Sequence, residues 1–218
     1  MTTSGISDQT SPDSTKLGEW LFRHRTALPL PFAAAILGLR VGEAAPSLPL
    51  VAAGVAVTAA GELIRLWGVH HIGAISRTRS DRLGPLVDTG PFALVRNPLY
   101  VGNILLWVGF ALSARLVWLA PLAAVLLGAE YHAIVRWEEH LLASRLGDAY
   151  RAYAANVPRW LPAFDREERK ARKKQDLSAS SASSAVKSFS WSDTLFSERG
   201  TFVAIALGYL LLWTKARF

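Results

Sequence analysis

"LYVGNILLWVGFALSARLVWLAPLAAVLLGA" occupies residues 99–129. Two apolar runs, 99–112 and 116–129, are separated only by Ser113, Ala114 and Arg115. A connection that short joins antiparallel neighbours, so the stretch reads as a helical hairpin over about residues 99–137. A helix crossing the hydrocarbon core needs about 20 mostly apolar residues. These runs reach that length only with their flanks, and further runs of the same kind lie at 26–39, 48–60 and 201–213. The repetition predicts an all-α integral membrane protein with about five transmembrane helices, multi-pass, rather than a soluble bundle with greasy core helices.

Composition agrees. The 218-residue chain is 51% hydrophobic, against roughly 45–50% in soluble domains. Its mean hydropathy is +0.23. The net charge of +7 comes from basic residues lying beside the apolar runs. That placement points to anionic lipid head groups and a topology signal rather than to nucleic acid. The chain has no cysteine, which excludes disulfides, thiolate metal sites and a cysteine nucleophile. A polar lead precedes the first apolar run and no small-residue cleavage site follows it, so that run does not read as a secretory signal.

Four regions follow from composition. Residues 1–16 are rich in Ser, Thr and Asp and read as a disordered N-terminus. Residues 17–162 form the membrane core. Residues 163–190 hold the charged run "DREERKARKKQD" and the Ser/Ala-rich "SASSASSAVKS", a linker by composition. Residues 191–218 read as a C-terminal helix, either membrane-spanning or interfacial, because the apolar run 201–213 is short. Basic residues cluster around Arg23 and Arg25, in 70–98 and after Glu139, whereas 42–49 and 113–115 carry little charge. The N-terminus, 70–98 and 138–190 are therefore expected on the cytoplasmic side, of the inner membrane if the source is bacterial.

The polar stretch before the hairpin, "DTGPFALVRNPLYVG" (88–102), is dense in turn formers. Pro98 suits the first position of a helix and pushes Asn97 out of helical geometry. The helix start fixed there has free N–H groups and a positive dipole end, which favour an anion, and Arg96 adds a fork of donors beside it. Gly102 leaves room for the close approach of a ligand or a helix. The second hairpin helix delivers Glu138 and Glu139 to the same membrane face, and carboxylates there are costly unless used or solvated. A zwitterionic cofactor with an amino-acid moiety and a ribose suits both ends. Glu62 and Arg65 share a helical face and are expected to pair. His70 and His71 have no third ligand at helical spacing, so no metal site is expected.

Taken together, "GPFALVRNPLYVG", the hairpin, "EEHLLASRLGDAYRAYAANVPRWLP" and their order resemble the isoprenylcysteine carboxyl methyltransferases and the related phospholipid methyltransferases. The resemblance covers roughly residues 61–162. It implies an integral-membrane enzyme dependent on S-adenosyl-L-methionine, with a cofactor pocket facing the cytoplasm and an acceptor arriving laterally from the bilayer. Carried residue by residue, it assigns cofactor binding to Gly90, Pro91, Phe92, Leu94, Val95, Arg96, Asn97, Pro98, Tyr100, Gly102, Glu138, Glu139 and Leu142. Tyr150, Tyr153 and residues 157–162 would cover the pocket. Two departures stand out. Asn97 occupies the position of the family's histidine and cannot titrate near neutral pH. Phe92 replaces a tyrosine and lacks its hydroxyl.

Methyl transfer needs alignment, exclusion of water and a deprotonated acceptor. Arg96 and Glu138 are the expected catalytic residues. Arg96 would position an acceptor carboxylate or hold the cofactor's own, and Glu138 would serve an amine acceptor as base. The expected reaction is methylation of a lipophilic or prenylated acceptor, with carboxyl O-methylation of an isoprenylcysteine-like compound as the best pattern. Membrane lipids are the other expected partners, and no nucleic acid is. Phospholipid, small-thiol or amine acceptors, an NADPH-dependent membrane reductase and a non-catalytic scaffold remain as alternatives.

Overall fold

The computed structural model describes residues 12–73, 86–162 and 190–217, with side chains from residue 16 onward. Among them are seven α-helices, one 3-10 turn and no β-strand. All but the last residue of the linker read at 163–190 and most of the N-terminal stretch lie outside the described residues, although α1 already begins at Pro12.

Helices α1 (Pro12–His24) and α2 (Leu30–Gly38) are separated by a turn in which the His24 carbonyl accepts from the Ala27 and Leu28 amides. The first apolar run was expected to be a span; its helix is only nine residues long. Pro29 and Pro31 lack the amides that would continue α1 through the run, so the chain breaks and restarts there. Helix α3 (Leu48–Ile72) starts at Ser47, whose hydroxyl accepts from the Leu50 amide, and stops at Gly73, where φ is +69°. Helix α4 (Pro98–Ser113) is the first arm of the hairpin and α5 (Leu119–Leu146) the second. Helix α5 does not end at the acidic pair. It runs on past Glu138 and Glu139 to Gly147, where φ is +57°, because no proline or glycine lies between Gly128 and Gly147. Short α6 (Asp148–Asn156) follows. Last is α7 (Trp191–Lys215), whose Ser190 cap accepts from the Asp193 amide at 3.1 Å.

Helices α3, α5 and α7 are long and apolar enough to cross a membrane, and α4 is a shorter apolar helix. The fold is an all-α integral membrane protein, with three such spans among the described residues where about five were expected.

What positions the site is the pairing of α3 with α4. Gly54, Gly61 and Gly68 recur every seventh residue on α3, and Gly102 and Gly109 do so on α4. A Cβ on Gly61 would stand 2.7 Å from the Gly102 carbonyl oxygen, and one on Gly109 2.7 Å from that of Gly54. The backbones therefore touch along a seam that admits no side chain. At its far end a Cβ on Gly68 would meet Leu99, which fixes the start of α4 against α3.

Helix α7 presents apolar residues outward but docks through polar ones. Its buried residues include Thr194 and Glu198. The Tyr209 hydroxyl lies 2.8 Å from that of Thr58 and 3.2 Å from that of Ser113, and Lys215 pairs with Glu43 at 2.8 Å. In lipid this is the expected economy, since apolar contact is available from the acyl chains while polar groups must find partners within the protein.

Candidate active site

The loop before α4 folds back over its own helix start. Gly90 takes φ +60° and opens the 3-10 turn Gly90–Ala93; a side chain on it would collide with the His71 ring at the end of α3. The loop is stitched to α6 and the segment after it by three hydrogen bonds. The Arg96 amide donates to the Pro158 carbonyl at 2.9 Å. The Asn97 side-chain amide donates to the Arg159 carbonyl at 3.2 Å, and the Tyr153 hydroxyl to the Phe92 carbonyl at 2.8 Å. Asn97 thus acts here as a hydrogen-bonding strut between two loops, a task that needs no titratable ring.

Glu139 is the electrostatic centre. Arg159 grips it with two donors, Nε at 3.0 Å and Nη2 at 2.6 Å, and Arg96 Nη1 lies 3.2 Å from the same carboxylate. Two guanidinium groups share one carboxylate, so the cluster keeps a positive charge. Arg96 also hydrogen-bonds Tyr150, while its Nε is buried without a partner. Burial pushes the Tyr150 phenol up to about 12 and raises that of Tyr153 further, so both stay protonated donors at neutral pH. Glu138, one residue earlier on α5, points elsewhere. It is hydrogen-bonded to Tyr100 in the first turn of α4, and the Tyr100 ring packs on Tyr131 with centroids 4.8 Å apart.

The structure therefore gathers Phe92, Arg96, Asn97, Tyr100, Glu138 and Glu139 with Tyr150, Tyr153 and the 157–162 segment. Pro91, Val95 and Pro98 are buried in the loop's packing, Leu94 is half-buried there, and Leu142 lies one turn beyond Glu138. Gly102 is placed differently. It faces α3, where Gly61 and the Arg65 stem fill the space beside it, so its smallness serves the helix seam.

Sequence reasoning missed the pairing of Arg159 with Glu139, the seat of His71 against Gly90 and the reach of Arg65. Arg65 does lie 3.4 Å from Glu62 as expected. It also donates to Glu198 on α7 at 2.7 Å, to Thr201 at 3.3 Å and to Asn103 on α4. His70 stacks on Trp191 with centroids 4.1 Å apart, and no group of three His, Asp or Glu side chains able to hold a metal occurs among the described residues.

Comparison with known proteins places this geometry. Residues 50–149 match the phospholipid methyltransferase family, a range that contains all but the first two residues of α3, the 3-10 turn, α4 and the whole of α5. The chain is also similar to a nickel-cobalt-cadmium resistance protein of Alcaligenes xylosoxydans xylosoxydans, 35% identical over 98 residues, which are 45% of this chain and 43% of that one. It is 32% identical over 77 residues to a cobalt-zinc-cadmium resistance protein of Cupriavidus metallidurans, covering 35% of each. The matched part spans less than half the length of these curated relatives. Residues 50–149 are thus similar to the phospholipid methyltransferase family, one of the isoprenylcysteine carboxyl methyltransferase type of membrane methyltransferases.

Proposed function

We propose that the protein uses S-adenosyl-L-methionine to methylate a lipophilic acceptor at the membrane, with a carboxylate as the preferred methylated group. The observation that carries this reading is the cluster of Arg96, Glu139 and Arg159 closed over the start of α4. The family match alone names a reaction class; the cluster supports a location for it.

The residues fit the cofactor. Arg96 keeps a buried Nε donor without a partner, and Asn97 gives α4 no side-chain cap, so the first amides of α4 are left to a ligand. Both suit the carboxylate of an amino-acid moiety. Glu139 fixes the plane of the Arg96 guanidinium, and Arg159 holds Glu139 in turn. Tyr153 and the 157–162 segment close the loop from above and keep water from the reacting atoms. When bound, the cofactor supplies a methyl group already activated on a sulfonium. A carboxylate acceptor then needs orientation but no base. Glu138 remains available to an amine acceptor, although its hydrogen bond to Tyr100 occupies it here.

The distribution of Lys and Arg supports placing this face of the helices in the cytoplasm. The relatives' names concern resistance to nickel, cobalt, cadmium and zinc. They support a setting of metal stress for the methylated lipophilic product. Calorimetric titration of the detergent-purified chain with S-adenosylhomocysteine, with NADPH in parallel, tests the reading. Saturable binding of the first alone is expected. Binding of NADPH moves the chain to the reductases, and binding of neither leaves a scaffold.

A further inference from the structure

A chain of side-chain contacts runs from α7 to the candidate site. Glu198, buried on α7, accepts from Arg65 Nη2 at 2.7 Å and from the Thr201 hydroxyl at 2.8 Å. Glu62 lies beside another edge of the guanidinium, 3.4 Å from Nε. Held on these two sides, Arg65 presents Nη1 to Asn103 Oδ1 on α4. Asn103 is also hydrogen-bonded to the hydroxyl of buried Tyr131 on α5. The Tyr131 ring packs on Tyr100 with centroids 4.8 Å apart, and Tyr100 is hydrogen-bonded to Glu138.

Each link restricts the next. A guanidinium is a rigid planar fork, so a carboxylate on one arm aims the other. Asparagine carries one acceptor and one donor group at the end of a short side chain. With Oδ1 taken by Arg65, its amide nitrogen is the group left for Tyr131. Release of Arg65 frees that amide to turn over. Tyr131 is the surface on which the Tyr100 ring rests, and Tyr100 belongs to the first turn of α4, whose free amides are assigned above to the cofactor.

Docking alone does not account for Glu198. Helix α7 is also held at Tyr209 by Thr58 and Ser113, at Lys215 by Glu43, and at Trp191 by the His70 ring. A carboxylate inside a span is costly, and a buried ion pair gains little net stability over apolar packing. What the pair supplies is a fixed direction for the Arg65 fork. We infer that Glu198 is a positioning residue of the candidate active site, acting through Arg65, Asn103 and Tyr131 on the Tyr100–Glu138 pair. Helix α7, which lies outside the family-matched residues 50–149, is then a working part of the site. This rests on the methyltransferase reading above.

The test is the affinity of S-adenosylhomocysteine for the detergent-purified full chain, in wild type, Glu198→Gln, Asn103→Ala and the double variant. Tyr209→Phe is the control, since it loosens α7 away from the path. Glu198→Gln should weaken binding about fivefold, in the range for residues that modulate a site they do not touch. Asn103→Ala should do the same, and the double variant should be no weaker than the worse single. Glu198→Asp, which keeps the charge, should recover part of the loss, and Tyr209→Phe should stay within about twofold of wild type. Wild-type affinity in Glu198→Gln overturns the proposal. So do losses that multiply in the double variant, or an equal loss in Tyr209→Phe, which makes docking of α7 the whole cause. Thr201→Ala, the milder variant, should give a smaller loss; if Glu198→Gln does not fold, wild-type affinity in Thr201→Ala overturns the proposal instead. Melts of Glu198→Gln, Tyr131→Phe and their double variant follow the path without a ligand. The fall in Tm of the double should be smaller than the two single falls together, and additive falls overturn the proposal. Failure of wild type to bind S-adenosylhomocysteine counts against the methyltransferase reading, and the melts still decide whether Glu198 acts on Tyr131.

Discussion

Glu139 on α5 accepts hydrogen bonds from Arg159 Nε at 3.0 Å and Nη2 at 2.6 Å, and its Oε1 lies 3.2 Å from Arg96 Nη1. One carboxylate thereby ties together the hairpin, the loop before it and the segment after α6. Removing it leaves two guanidinium groups facing each other. Glu139→Ala should lower stability by about 2–4 kcal/mol, near the cost of breaking a buried pair and discounted for the partly exposed Arg159. Arg159→Ala should cost less, because Arg96 remains. Thermal melts in detergent check the order, and equal costs would mean that Arg96 contributes nothing to holding Glu139.

The glycine seam gives a steric prediction. Gly61→Val and Gly109→Val force backbone apart from backbone, and each should cost at least the roughly 1–3 kcal/mol of an overpacked core, with loss of monodisperse protein. Gly200→Ala, where a Cβ meets nothing within 4 Å, should be neutral or slightly stabilising. Size-exclusion profiles and melts of the three variants decide it. Tolerance at Gly61 would break the account of how α4 is placed.

Burial raises the Tyr150 phenol to about 12. A raised folded-state pKa means that the folded protein holds the proton more tightly than the unfolded chain. Stability is then complete below the unfolded value of about 10 and declines as pH rises from there through the folded value. Melting temperature should be flat from pH 7 to 9 and fall above, and Tyr150→Phe should reduce the alkaline fall without changing the neutral plateau by much. An unchanged alkaline slope in that variant would remove Tyr150 from the account.

Glu198 is 1% exposed and pairs with Arg65 at 2.7 Å. Glu198→Ala should cost about 3 kcal/mol, because it strips a buried guanidinium of its main partner, although Glu62 remains near. Thr201→Ala should cost about 1 kcal/mol for one hydrogen bond. A small cost for Glu198→Ala would show that α7 is held by its apolar face instead.

Much of this was legible in the chain and some was not. The hairpin was plain because two uncharged runs flank a three-residue turn. The end of α5 was misplaced because a pair of glutamates looks like an exit into water, whereas a helix stops only where its backbone is broken, here at Gly147. Glu138 and Glu139 were found together, but their separate tasks were not. Adjacent residues on a helix diverge by about 100°, so one faces Tyr100 and the other the arginines, and only the folded phase says which. The pairing of Arg65 with Glu198 carries no local signal. The two meet across 133 residues of chain, and no spacing rule reaches that far.

The most direct test of the central claim is the affinity of S-adenosylhomocysteine for wild type and for Arg96→Ala, measured by calorimetry on folded protein in detergent. Saturable binding to wild type, weakened about tenfold or more in the variant, is predicted for the loss of a charge-assisted contact. Equal affinity in the two proteins would contradict the claim that the Arg96 cluster is the cofactor's seat.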